Sequence, residues 1–184
     1  VLVAGAAAGG GATISEAQHK AAFVTSVNGT GDLESWPDSE GLIGLEAGDA
    51  ICRSRAIAAN LPDPSSFVAW LSDSEDDAYC RVHGLSGKKA QNCGLETLPT
   101  WAGPWVRTDG FRFAARIDRS LGLFGEIYTA ASLDEFGNFR PHDDRIYFTN
   151  TSAAGTLYYA DMTCDDWTSA DEAQYVRVVT GDRT

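Results

Sequence analysis

Residues 41–72 read GLIGLEAGDAICRSRAIAANLPDPSSFVAWLS. The segment 46–60 carries small and apolar residues at helical spacing on one face, which predicts one main helix that packs closely. These residues are Ala47, Ile51, Ser54 and Ala58. Asn60 and Pro62 predict the end of the helix, because Asn tolerates the left-handed C-terminal position and Pro cannot continue the helix. The apolar run 67–72 then predicts a buried strand.

The rest of the chain predicts short strands between long loops. Further strands are expected at 22–27, 158–164 and 175–180, where β-forming residues lie between turn-forming ones. The acidic segment after the helix and its strand predicts a short helix capped by Asp73 or Ser74. At 184 residues the chain predicts one domain with one hydrophobic core. We therefore expect an α+β fold with an antiparallel sheet, one main helix and long loops.

Charge and hydropathy exclude several classes of partner. The 26 acidic residues outnumber the 14 basic ones, so the formal net charge is −12. Such a surface repels phosphate backbones and anionic lipids, and nucleic acid is not an expected partner. Apolar runs fall short of the roughly 18 residues that span a bilayer, so no transmembrane segment is expected.

The four cysteines indicate an oxidising compartment, and we expect an extracellular or cell-surface location. Cys80 and Cys93 predict a local disulfide, whose loop would contribute about 3 kcal/mol. Together with His83 they could instead supply three ligands to zinc. A structural zinc site needs four ligands, so the disulfide is preferred.

The N-terminus differs in character from the rest. Residues 1–20 form an apolar arm rich in Gly and Ala, and residues 21–184 form the predicted domain. The arm residues expected to take part in assembly are Val1, Leu2, Val3 and Ala4. The chain starts with Val, so we expect that a leader or upstream segment has been removed. An apolar strip of this kind predicts packing against its own domain or against a neighbouring subunit.

Several strings carry a family resemblance. The helix-to-strand stretch 41–72 is preceded by FVTS from Phe23 and followed by WVRTDG, LDEFGN and the CDDWTS that contains Trp167. From Phe23 to Trp167 the chain resembles endostatin and, more closely, the bacterial endostatin-like domains of surface and secreted proteins. This resemblance implies a C-type-lectin-like fold. It also agrees with Trp70 and Trp167 as large core residues.

The chain departs from this family in two ways. In the family, the helix cysteine pairs with one in a final strand, and the cysteine of the Cys-x-x-Trp string pairs with another just before it. The sequence up to Thr184 contains neither cysteine, so we expect the family's last strand to be missing, and the partners of Cys52 and Cys164 stay open. They pair with each other, remain free, or bind a separate C-terminal fragment. The acidic surface, in turn, does not predict endostatin's heparin binding.

Catalytic and metal motifs are weak. There is no Gly-x-Ser-x-Gly or phosphate-binding loop, and an enzyme would depend on the scattered His19, His83 or His142. No cofactor is expected apart from calcium, whose oxygen ligands could come from two acidic turns. The calcium candidates are Asp134, Glu135, Asn138, Asp143 and Asp144.

Two functional hypotheses follow. The first is a non-enzymatic structural or interaction module that assembles through its arm, with copies of itself or another extracellular protein as partner. The alternative is a monomeric adhesion or carbohydrate-binding domain that uses the loops near 100–145, with or without calcium.

Overall fold

The computed structural model describes residues 2–5, 19–100, 102–115, 127–140 and 149–171. The strands are β1 (Leu2–Gly5), β2 (Lys20–Val24), β3 (Phe67–Ala69), β4 (Trp105–Arg107) and β5 (Arg112–Ala114). The α-helices are α1 (Gly44–Ala58) and α2 (Ala78–Arg81), and the segment α3 (Cys164–Trp167) is a single left-handed turn. Short 3-10 turns cover Leu33–Ser35, Pro64–Ser66 and Lys89–Gly94. The predicted mixed α+β class is confirmed.

The strands form one sheet in the order β3-β1-β2-β4-β5. β1 is antiparallel to both β2 and β3, and β4 is antiparallel to β5. The prediction of a wholly antiparallel sheet is wrong at one pair, because β2 and β4 run parallel with Lys20 opposite Trp105. Parallel neighbours need a long crossover connection, and here α1, β3 and α2 all lie between them in the chain.

Helix α1 begins at Gly44 and ends at Ala58, within two residues of the predicted bounds. The predicted packing face is right only in part, because Ala47 and Ile51 are buried, Ser54 is half-buried and Ala58 is exposed. Asn60 follows in the left-handed region with φ +54°. The N–H of Asn60 donates to the carbonyl of Ile57 at 3.0 Å, and that of Leu61 donates to Ala56 at 2.9 Å. This pair of bonds is a Schellman motif, which satisfies the last carbonyls of the helix.

Two hydrophobic clusters lie on opposite faces of the sheet, so the prediction of one core is wrong. One cluster packs α1 against Phe23, Phe67 and Ala69. The other packs α2 and the Cys80–Cys93 loop against Ala22 and Trp70. Side chains alternate between faces along a strand, which separates Phe23 from Ala22 and Ala69 from Trp70.

Two local predictions are wrong. Residues 158–164 form turns and no strand. The backbone of Tyr159 pairs with the side chain of Asn150 and not with a strand. Nδ2 of Asn150 donates to the carbonyl of Tyr159 at 2.8 Å, and the N–H of Tyr159 donates to Oδ1 of Asn150 at 3.2 Å. The short acidic helix begins later than predicted, with Asp77 as its N-cap. The strand predicted at 175–180 lies outside the described residues.

Candidate functional site

The predicted assembly arm forms an interior strand of the chain's own sheet, next to the edge strand β3. Within β1, Val3 lies opposite Phe23 of β2 on one side and opposite Ala69 of β3 on the other. The arm residues in this strand are Leu2, Val3 and Ala4, while Val1 lies outside the described residues. We call the space between β2 and β3 that β1 fills the central slot.

The wall of the slot on β2 is formed by alternate peptide groups. The N–H of Val24 donates to the carbonyl of Leu133 at 2.9 Å, and that of Lys20 donates to Pro104 at 2.8 Å. These groups point away from β1. Successive peptide groups of a strand point to opposite sides, so the peptide groups of Phe23 face the slot.

The wall on β3 follows the same logic. The N–H of Ala69 donates to Oδ1 of Asp49 at 2.8 Å, and its carbonyl accepts from Nη1 of Arg81 at 2.9 Å. Both groups of Ala69 therefore point away from β1, and those of Val68 face the slot. Without a strand in the slot, the N–H and C=O groups of Phe23 and Val68 would lose their partners.

A largely buried ion pair closes the outer edge of β3. Arg81 is anchored on α2 and Asp49 on α1, and Nη2 of Arg81 contacts Oδ1 of Asp49. Nη1 of Arg81 also donates to the carbonyl of Leu71 at 3.2 Å. The side chains thus occupy the backbone groups that an added strand would need. Sequence analysis did not single out Arg81 or Asp49, and the only available signal was an acid within a helix rich in small residues.

The outer edge of β5 is also covered. The N–H of Tyr128 donates to the carbonyl of Phe113 at 2.9 Å, and Oγ1 of Thr129 donates to the carbonyl of Arg112 at 2.8 Å. Ile127 forms an isolated antiparallel bridge with Ala114. Segment 127–129 therefore takes the position where another strand would pair.

The acidic turn at 133–138 binds its own chain. Oδ1 of Asp134 accepts from the N–H groups of Phe136 at 3.0 Å and Asn138 at 2.8 Å. Oδ2 of Asp134 accepts from the side-chain amide of Asn138 at 3.3 Å. The carboxylate of Asp134 therefore stabilises the turn.

Glu135, the next calcium candidate, is buried and contacts Ser26 and Arg55. Its Oε2 accepts from the N–H of Ser26 at 2.8 Å, and its Oε1 lies 3.7 Å from Nη1 of Arg55. Among the described residues no group of three or more His, Cys, Asp or Glu side chains could hold a metal ion. The other calcium candidates, Asp143 and Asp144, lie outside the described residues.

The disulfide between Cys80 and Cys93 is confirmed. Cys52 and Cys164 are both buried, and no disulfide joins them. Burial, reinforced by the carboxylate of Asp49, raises the pKa of the Cys52 thiol well above its usual range. Burial also raises the pKa of Cys164. Thiols with raised pKa values react slowly at neutral pH.

The two tryptophans named as core residues are buried. Trp70 lies on the α2 face of the sheet and Trp167 on the α1 face. The indole Nε1 of Trp167 donates to the carbonyl of Ser72 at 2.9 Å. All four residues of α3 have positive φ, between 52° and 68°, so this segment is a left-handed turn. That conformation costs energy for residues with a side chain, and the buried indole helps to hold it.

The three histidines are not brought together in the described structure. His19 is exposed at the start of β2, and His142 lies outside the described residues. His83 is half-buried, and its Nδ1 lies 2.8 Å from the carbonyl of Tyr79. The rings of His83 and Tyr79 are 4.9 Å apart. These contacts hold His83, which follows α2, against Tyr79 of that helix.

Comparison of the chain with family models, with curated proteins and with solved structures gives no match. The endostatin-like resemblance therefore stays a prediction. Among the described residues, no helix has the length and apolar character needed to cross a membrane.

Proposed function

We propose that this chain is a non-enzymatic structural or interaction module of the cell exterior that assembles with copies of itself through its N-terminal arm. The observation that carries the proposal is the position of β1. The arm supplies an interior strand of the sheet, between β2 and β3. Strands from another chain are a recurrent means of protein assembly.

The energetic reason is that the sheet needs a strand between β2 and β3. Phe23 and Val68 face the slot from either side, and each unpaired buried N–H or C=O group costs roughly 1–3 kcal/mol. Removing β1 would also separate β2 from β3, whose residues Phe23 and Ala69 are 1% and 0% exposed. A strand must therefore fill the slot, and an identical strand can come from the same chain or from a neighbour.

The disulfide and the acidic surface support a location outside the cell. The Cys80–Cys93 bond persists in oxidising compartments. The net charge of −12 would keep the assembling units soluble and would disfavour nucleic acids as partners.

Light scattering and negative-stain microscopy test the proposal on the full chain and on two arm variants. Val3→Pro removes the N–H that pairs with Phe23, whereas Val3→Thr keeps this donor and a β-forming side chain. We expect oligomers or filaments from the unsubstituted chain and from Val3→Thr, and monomers from Val3→Pro. A monomeric unsubstituted chain at high concentration would refute assembly, and circular dichroism shows whether Val3→Pro remains folded.

A second candidate function is adhesion or carbohydrate binding at the loops. Phe111, Phe136 and Phe139 are 66%, 52% and 61% exposed. They lie on two turns that are joined by a hydrogen bond from Oγ1 of Thr108 to the carbonyl of Asp134, at 3.0 Å. Exposed apolar side chains of this kind mark interaction sites. Glycan-array binding by a monomeric chain, lost in Phe111→Ser, would favour this candidate.

A further inference from the structure

Both outer edges of the sheet are occupied. Arg81 and Asp49 bind the free backbone groups of β3, and segment 127–129 covers the free edge of β5. An additional strand at either edge would have to displace these bonds. The slot differs from the edges. Its backbone groups on β2 and β3 already pair with β1, and the β1 strand of another copy could make the same bonds.

The connection from β1 to β2 is much longer than their pairing requires. Adjacent antiparallel strands can be joined by two residues. Residues 6–18 separate β1 from His19, and this length of chain can reach roughly 45 Å when extended. A domain of this size is about 40 Å across. The covalent chain therefore allows β1 to reach the sheet of a neighbouring molecule.

Resting on the proposed function, we infer that the central slot takes the β1 strand of a second copy of this chain. The incoming strand keeps the register seen within one chain, with Leu2 opposite Val24 and Val3 opposite Ala69. It runs antiparallel to both β2 and β3. Copies are joined by exchange of this strand and not by pairing of sheet edges.

A cysteine pair across the slot tests this directly. The N–H of Val24 points away from β1, so Leu2 and Val24 form a non-hydrogen-bonded antiparallel pair. The Cα atoms of such a pair are about 4.5 Å apart, which suits a disulfide. Leu2→Cys and Val24→Cys both reduce side-chain size, so neither overpacks the sheet.

The two single variants of the full chain, carrying different tags, are unfolded together, refolded as a mixture in a glutathione buffer and separated without reductant. Neither variant can form this disulfide within one chain. We expect a disulfide-linked heterodimer at about ten-fold or greater excess over a control mixture of Leu2→Cys with Ala58→Cys, because Ala58 is exposed on α1 and far more accessible to random collision. The double variant Leu2→Cys/Val24→Cys, by closing its own disulfide, shows that the substituted chains fold.

The two proposals fail in different ways. Oligomers that depend on Val3 but give no Leu2–Val24 heterodimer above the control would overturn strand exchange and leave arm-mediated assembly intact. Monomers in every mixture would overturn both. A heterodimer confined to the Ala58 control would also contradict the inferred register.

Discussion

Arg81 shows how one side chain can close a sheet edge. Its side chain is 7% exposed, and its guanidinium binds the carbonyls of Ala69 and Leu71 as well as the carboxylate of Asp49. The guanidinium is suited to this because its planar array of N–H donors can serve several acceptors at once. One residue thus joins α2, β3 and α1.

We predict that Arg81→Met lowers the free energy of unfolding by about 3 kcal/mol, because it leaves the carboxylate of Asp49 and two backbone carbonyls without their partner. Urea denaturation measures this change. The matched control is Asp109→Asn, which removes a solvent-exposed ion pair with Arg107 and should cost less than about 1 kcal/mol. Equal losses in both variants would mean that the edge contact contributes no more than a surface pair.

His83 is a second residue whose surroundings have a measurable consequence. Desolvation lowers its pKa, and the positive charges of Lys20 and Lys89 lower it further, against the opposing effect of the Tyr79 carbonyl. Within the described structure its Nε2 is buried and has no hydrogen-bond partner. Protonation would therefore place an N–H at a site without an acceptor.

We predict that this histidine makes the fold less stable in acid. The unfolded chain takes up the proton at an ordinary pKa near 6.5 and the folded chain at a lower pH, so unfolding binds a proton. The free energy of unfolding is therefore unaffected by His83 above about pH 6.5 and decreases as the pH drops towards the folded pKa. Thermal melting between pH 7 and pH 5 should show a smaller decrease for His83→Gln. Parallel melting curves for the two proteins would contradict this.

At the scale of elements, the contact between α1 and β3 depends on a small residue. A Cβ atom at Gly48 would lie 3.1 Å from Cδ1 of Leu71, 3.2 Å from Cβ of Ala69 and 3.3 Å from Cδ1 of Leu33. These are all side chains of the buried α1 cluster. The helix can therefore approach the sheet closely only with a residue of minimal size at this position.

We predict that Gly48→Leu destabilises the fold by about 3 kcal/mol, because the added carbons overpack the interface. The higher helix propensity of Leu returns about 1 kcal/mol at most. Ala58→Leu is the control, since Ala58 is exposed on the same helix and the change should stay within about 0.5 kcal/mol. The midpoints of guanidinium denaturation distinguish the two. A neutral Gly48→Leu would show that the helix can move away from the sheet without loss.

At the scale of the whole molecule, β1 connects two halves. β3 packs with α1 on one side of the slot, and β2 leads to β4 and β5 on the other. The two hydrophobic clusters use residues from both flanking strands, on opposite faces of the sheet. Filling the slot therefore affects both clusters at once.

We predict a specific pattern of amide protection when the arm is removed. In a chain that lacks residues 1–18, the amides of Phe23 and Val68, which face the slot, should exchange about ten-fold or more faster. The neighbouring amides of Val24 and Ala69 bond to Leu133 and Asp49 and should keep their protection. NMR hydrogen exchange on both chains measures this. Equal acceleration at all four amides would indicate general loosening and not an open slot.

Local sequence was enough for those features that depend on neighbouring residues. The small-residue periodicity and Asn60 predicted α1 and its end, because helix packing and capping act within a few residues. The spacing of Cys80 and Cys93 predicted their disulfide for the same reason. The turn at 133–138 followed from its Asp, Gly and Asn content.

The failures at element level share a physical cause. Residues 158–164 have the composition of a strand, but a strand also needs a partner, and Asn150 satisfies Tyr159 with its side chain. The parallel pairing of β2 with β4 joins residues more than eighty positions apart. No local pattern encodes such a pairing, because strand propensity depends on the surrounding sheet.

By itself the sequence determined the α+β class, the main helix, the local disulfide and the acidic, solvated character of the chain. Those properties follow from composition and from contacts between residues close in the chain. Only the tertiary structure decided that the arm lies between β2 and β3 and that Arg81, Asp49 and segment 127–129 close the edges of the sheet. These arrangements depend on hydrogen bonds between distant segments, and each backbone group has the same donor and acceptor whatever its side chain, so its partner is chosen by the packing of the whole chain.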